Sequence, residues 1–213
     1  MVNKVNRMCV RTLRIALVGL ALAYSSAAFA SNEAVNASSV SPTLQVSVTV
    51  QKAIRLTLTQ GTNAGACTVT AASDYSISFG NVDALGITTP TCGAKFNPTS
   101  PGTSAAAYYT DYQLTPLFSN QSSTTANVAA YVSTNFATLS SVLAVVSANS
   151  SPGSIGALTA MSTNSASPTS LGSGTSGTAI TRYIGVSVQP TNSGSATVSG
   201  SDSAVVTYTM TVP

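Results

Sequence analysis

The chain has 213 residues, with 8 Lys or Arg, 5 Asp or Glu, and neither His nor Trp. Without His there is no Ser-His-Asp triad and no imidazole metal site, and a charged fraction of 6% lies far below the roughly 25% of ordinary soluble domains. The formal charge of +3 is concentrated at one end, where Lys4, Arg7, Arg11 and Arg14 precede the apolar run 15–23 and the small-residue site Ala28-Phe29-Ala30. These are the three parts of a secretory signal peptide, expected over residues 1–30; the apolar run is too short for a membrane span, which needs about 20 residues. Beyond residue 30, four basic residues (Lys52, Arg55, Lys95, Arg182) face five acidic ones, a net charge near −1. No basic patch remains there, so neither nucleic acid nor an anionic membrane is an expected partner.

Residues 31–42 have no period and read as a flexible leader. Strict alternation then begins, with Leu44, Val46, Val48 and Val50 on one face and Gln45, Ser47, Thr49 and Gln51 on the other. The same parity resumes at Ile54, Leu56 and Leu58. A period of two predicts β-structure. Sixteen residues in one strand would span about 50 Å, so a break is expected near Lys52 and Ala53. Further strands are expected at 67–70, at 75–79 up to the Gly80-Asn81 turn, and at 108–118, 128–133, 180–188 and 204–212. Residues 61–65 read as a loop, and the proline-interrupted segment 86–102 as mostly loop around Cys92. Segment 139–148 suits a buried strand or a short helix, which periodicity does not separate. The Ser/Gly-rich stretch 149–177 has few apolar anchors (Ile155, Leu158, Met161) and is expected to form long loops with at most weak strands. One third of the residues after position 30 are Ser or Thr, a composition suited to half-buried pleated surfaces. About eight to ten short strands without a confident helix indicate an all-β antiparallel sandwich or barrel, with residues 43–213 as one domain.

Cys9 falls within the signal segment, leaving Cys67 and Cys92. In an oxidising compartment such a pair is expected to form one disulfide. No metal site or cofactor is expected: Asp74, Asp83, Asp111 and Asp202 are dispersed, fit no calcium-loop spacing and read as turn residues. No G-x-S-x-G elbow, S-x-x-K motif or phosphate-binding glycine loop occurs, so the chain is not expected to be an enzyme. Tyr108, Tyr109 and Tyr112 are candidate ligand contacts, forming an exposed aromatic platform for a sugar. Packing in the core or across strands is the competing reading of tyrosines at strand positions.

Ala66-Cys67-Thr68-Val69-Thr70-Ala71, followed by Tyr75-Ser76-Ile77-Ser78-Phe79-Gly80-Asn81, resembles the cysteine-then-Phe-Gly signature of spore coat protein U-like domains. That family includes the pilins of archaic chaperone–usher systems. The order of parts is similar as well: signal peptide, alternating N-terminal strand, first cysteine, Phe-Gly turn, second cysteine and alternating C-terminal strand. The resemblance implies an immunoglobulin-like β-sandwich that lacks one strand and receives it from a neighbouring subunit, with a periplasmic chaperone and an usher as partners in transit. Leu44, Val46, Val48 and Val50 are then the strand-exchange face, since β-strand addition draws affinity from main-chain hydrogen bonds and selectivity from alternate side chains. On its own pattern the same segment also suits the first strand of the chain's own sandwich. The expected function is a secreted structural subunit of a surface fibre or coat that self-associates or joins other fibre subunits. The alternative is a monomeric secreted adhesive or carbohydrate-binding β-sandwich domain. An outer-membrane barrel would share the signal and the alternation but needs paired aromatic girdles that this chain does not carry.

Overall fold

The computed structural model describes residues 46–63, 67, 70–71, 75–191 and 199–213. The expected signal peptide, the leader, Leu44 and Asp74 lie outside the described residues. The chain divides into two units, Met1–Thr49 and Val50–Pro213. Of the first unit, residues 46–49 are described; they carry no regular secondary structure and are exposed.

In the second unit, and among the described residues, the structure is almost entirely β, with antiparallel pairing throughout and no α-helix. In chain order the strands are β1 (Ala53–Gln60), β2 (Thr70–Ala71), β3 (Tyr75–Ser76), β4 (Ala94–Phe96), β5 (Ala106–Ser119), β6 (Thr125–Thr134), β7 (Leu143–Ala148), β8 (Thr159–Ala160), β9 (Thr169–Thr175), β10 (Ile180–Val188) and β11 (Val205–Thr211); a single 3-10 turn covers Ile155–Ala157. The larger sheet runs β1-β5-β10-β7-β8, with β4 also paired to β5. A three-stranded sheet runs β11-β6-β9, and β2 pairs with β3 alone.

The long strand β5 organises the larger sheet. Its first half pairs with β10, from Val188↔Ala106 to Ile180↔Leu114, and its second half pairs with β1, from Gln60↔Tyr112 to Ala53↔Ser119. Both faces of β5 are covered. Tyr112 and Leu114 join the core between the sheets, while Ala107 and Tyr109 pack with Phe96, Val146 and Leu158 on the opposite face. Pro116 is tolerated within the strand because its carbonyl accepts from the Gly177 N–H, beyond the end of the β10 ladder. The missing N–H of the proline therefore falls where no ladder partner waits for it.

Alternation along β6 and β11 builds the opposing layer. Val128, Ala130 and Val132 from β6, and Val206, Tyr208 and Met210 from β11, meet Tyr112, Leu114, Leu56, Leu58 and Ile184 of the larger sheet. This sandwich-like core is what a period of two delivers when each sheet turns one face inward.

Two expectations need correction. The stretch 149–177 is not merely loop: β9 is a seven-residue strand whose Leu171 is fully buried. It holds because it pairs with β6 across a register shift, and because the Arg182 guanidinium donates to the carbonyls of Leu171 and Asn149. Leu158 and Met161 are also buried, and Met161 N–H donates to the Val145 carbonyl. The segment 86–102 is mostly loop, as expected, apart from the three-residue β4, which adds to β5 at Ala94↔Tyr109. In the other direction, among the described residues the expected strand at 75–79 is paired at Tyr75 and Ser76 and not beyond. Segment 139–148 resolves as a strand from Leu143, preceded by a turn in which Val142 and Leu143 N–H both donate to the Leu139 carbonyl.

Candidate functional site

A cleft of about 650 Å³ opens between the larger sheet, β11 and the segment 75–82. Its wall is mainly apolar, drawn from Leu58 on β1, Val145 on β7, Ile184 on β10, Val206 on β11, and Ile77 and Phe79 on the 75–82 segment. Tyr112 and Tyr208 stand in it edge-on, with ring centroids 5.9 Å apart. β11 lies at the end of its sheet, paired only with β6 among the described residues. An end strand of this kind presents backbone N–H and C=O groups to an added strand.

The 75–82 wall is tied down by a set of covalent and polar contacts. Cys67 and Cys92 form the expected disulfide, with Cα atoms 5.1 Å apart. Thr91 N–H donates to the Phe79 carbonyl at 2.8 Å. Next to Cys92, Gly93 has φ +80°, and a Cβ there would meet the Tyr109 carbonyl oxygen at 2.4 Å, so this close approach of backbone to backbone requires glycine. Immediately after the wall, Asp83 accepts from the N–H groups of Leu85 (2.8 Å), Ile87 (3.1 Å) and Thr88 (2.5 Å). Burial pushes its carboxyl upward, but the hydrogen bonds from Thr88, Ile87 and Leu85 outweigh it and hold the group well below the usual carboxylate range.

Asp202 stands at the cleft and accepts from Thr138 N–H (2.7 Å), the Thr138 hydroxyl (3.1 Å), Leu139 N–H (2.9 Å) and Ser203 N–H (2.8 Å). The Leu139 N–H leads the contacts that lower its pKa. It thereby fastens the turn before β7 to the start of β11. Asp111 is buried and accepts from Thr62 N–H, Asn63 N–H and Asn63 Nδ2. All three carboxylates thus serve loops as acceptors. Among the described residues no group of three or more His, Cys, Asp or Glu side chains comes together.

The exposed tyrosine platform is not formed. Tyr108 is fully buried, and its hydroxyl donates to the Asp83 carbonyl at 3.0 Å while accepting from the Asp83 N–H at 3.2 Å. Tyr112 is buried in the inter-sheet core, where desolvation raises its pKa above the ordinary tyrosine value and pushes that of Tyr208 up to about 12. Tyr109, on the opposite face, is half-buried and stacks on Phe96 at 4.9 Å. The physical reason is that β5 is covered on both sides, so neither parity of its tyrosines is free.

Of the alternating N-terminal face, Val46, Val48 and Val50 are 81%, 83% and 68% exposed. Leu44 lies outside the described residues. The cleft itself was not foreseen from the sequence. Its wall comes from seven separated stretches of chain, which no local pattern brings together.

Comparison with family models, curated proteins and solved structures finds no match to this chain.

Proposed function

We propose that this chain is an exported structural subunit of a surface fibre or coat, assembled by β-strand addition. Its N-terminal segment is cleaved as a signal peptide, its sandwich is immunoglobulin-like, and a periplasmic chaperone and usher handle it before it reaches the cell surface. The observation that carries this reading is a pairing of shapes within one chain. Three valines of one parity (Val46, Val48, Val50) stand exposed, and an apolar cleft beside the end strand β11 has the lining to accept such a row. Fully buried, three such side chains contribute about 4–9 kcal/mol before ordering costs, enough to hold a non-covalent polymer once backbone pairing along β11 is added. The resemblance to spore coat protein U-like pilins points the same way.

In this reading the segment 44–50 of one copy lies against β11 of the next, with Leu44, Val46, Val48 and Val50 turned into the cleft. The reaction is association, and no side chain acts as acid, base or nucleophile. The monomeric sugar-binding alternative gains nothing from Tyr108 or Tyr112, which are buried, and the ring of Tyr109 is already stacked on Phe96.

The test is the double substitution Val46→Asp with Val48→Asp in the exported chain. Wild-type protein forms polymers visible by size-exclusion chromatography and electron microscopy, whereas the double variant stays monomeric with an unchanged β-sheet spectrum. A wild-type chain that remains a monomer with residues 44–50 resistant to protease defeats the reading.

A further inference from the structure

Two apolar rows of this chain are each interrupted by a single charge, and the two charges are opposite. Toward the N-terminus the even-numbered positions read Leu44, Val46, Val48, Val50, Lys52 and Ile54. Lys52 is exposed, and no hydrogen bond or ion pair engages its ammonium among the described residues. In and just before β11 the even-numbered positions read Asp202, Ala204, Val206, Tyr208 and Met210, of which the last four pack toward the core. Asp202 stands at the cleft, and its four hydrogen bonds come from neutral donors. Its charge therefore has no counter-ion among the described residues.

We propose that Lys52 of one copy pairs with Asp202 of the next, and that this charge pair sets the direction and register of the strand added to β11. The proposal rests on the strand-addition reading and deepens it; the occupant is the segment 44–52 of a second copy. In an antiparallel pair, residues directly opposite one another share a face of the sheet. With Lys52 opposite Asp202, Val50, Val48 and Val46 fall opposite Ala204, Val206 and Tyr208. The register that joins the charges thus also turns the valines inward. A slip of one residue would turn them all outward, and a slip of two keeps the faces but separates the charges. A parallel strand with residues 44–50 along 204–210 would carry Lys52 past Thr211, away from Asp202. The ends of the sandwich favour the antiparallel direction as well. Ala53 pairs with Ser119, Thr211 pairs with Asn127, and the Ser122 hydroxyl between them donates to the Pro213 carbonyl at 3.3 Å. β1 therefore begins at the end where β11 finishes, while β11 starts at the other end, opposite Thr134. Antiparallel addition joins opposite ends of successive copies, whereas parallel addition would crowd donor and acceptor at one end.

The whole chain serves for the test, and cross-linking reads the register. Ser47 and Thr207 are directly opposite in it, where Cβ atoms about 4.5–5.5 Å apart suit a disulfide, and the diagonal neighbours Val205 and Thr209 lie about 7–8 Å away. Ser47→Cys with Thr207→Cys should link copies faster than Ser47→Cys with Val205→Cys or with Thr209→Cys, the linked peptides being identified by mass spectrometry. A charge cycle reads the pair itself. Lys52→Glu is expected to loosen the polymer, measured by its dissociation on dilution, by about three- to tenfold at low salt and by little in about 1 M salt. Asp202→Asn keeps an oxygen to accept from Thr138 and Leu139, and in that background Lys52→Glu should have little effect. Equal loosening in both backgrounds overturns the proposal, as does faster linkage through Val205→Cys or Thr209→Cys. A wild-type chain that forms no polymer overturns the strand-addition reading and this proposal together, whereas polymers that form without the coupling remove this proposal alone.

Discussion

Asp83 and Lys95 hold one loop from its two polarities. The Asp83 carboxylate gathers the N–H groups of Leu85, Ile87 and Thr88, while the Lys95 ammonium donates to the carbonyls of Gly86 (2.5 Å), Ile87 (3.3 Å) and Thr88 (3.0 Å). The loop is thereby stiffened right behind the cleft wall that ends at Val82. Asp83→Asn is expected to lower stability at pH 7 by roughly 1–3 kcal/mol, read from the urea midpoint, because charge-assisted acceptance by three donors is weakened.

The same contact sets an acid limb. The folded-state pKa of Asp83 lies below its unfolded value. The stability it supplies is therefore complete above about pH 4 and is lost as the pH falls below that. Asp202, lowered in the same direction, adds to the same window. Acid unfolding of Asp83→Asn should show a shallower decline below pH 4 than the wild type. An identical decline in both proteins would contradict the role given to this carboxylate.

Gly61 and Asp111 form a second fixed contact. A Cβ on Gly61 would stand 2.2 Å from Asp111 Cγ, and the buried carboxylate receives three N–H bonds from Thr62 and Asn63. Gly61→Ala and Asp111→Ala are each expected to cost about 2–3 kcal/mol in chemical denaturation. Since both break the same loop contact, the double variant should lose clearly less than the sum. Strict additivity would mean that the loop is held by something else.

The disulfide closes a loop of 25 residues that contains the cleft wall. On the chain-entropy estimate it contributes about 3.5 kcal/mol. Replacing Cys67 and Cys92 together with Ser should lower the melting temperature accordingly. It should also speed hydrogen exchange at 75–82 more than in β5 or β10, because those strands are held by long ladders in the larger sheet while the disulfide closes the loop that carries the wall. Equal acceleration everywhere would mean that the bond stabilises the fold globally without holding the wall.

Much of the architecture is legible from alternation alone, and the residues that escape it do so for identifiable reasons. β1, β6 and β11 each carry an apolar row at every second position, β5 and β10 do so with one interruption each at Thr110 and Arg182, and pairing finds them close to where the period places them. β9 escapes because Leu171 is its single large apolar residue, and its order depends on β6 and on the distant Arg182. Tyr108, Tyr109 and Tyr112 look alike in sequence. Their fates depend on what covers each face of β5, and sequence position alone does not contain that. The cleft is least legible of all, since Phe79, Val145 and Val206 become neighbours only through long-range pairing. The exposed row of Val46, Val48 and Val50 was visible from the start as a pattern, but whether it packs at home or abroad is a question of partner, which periodicity does not address.

The most direct measurement is hydrogen–deuterium exchange at residues 44–50 and 205–211, compared between the assembled protein and the same chain dissociated by dilution. Strand addition to β11 predicts slow exchange at 44–50 and at the outward-facing amides of 205–211 within the assembly, and fast exchange at those same amides once copies separate, while the β11 amides bonded to β6 stay protected throughout. Protection of 44–50 that persists in the monomer, or fast exchange there within an intact polymer, would contradict it.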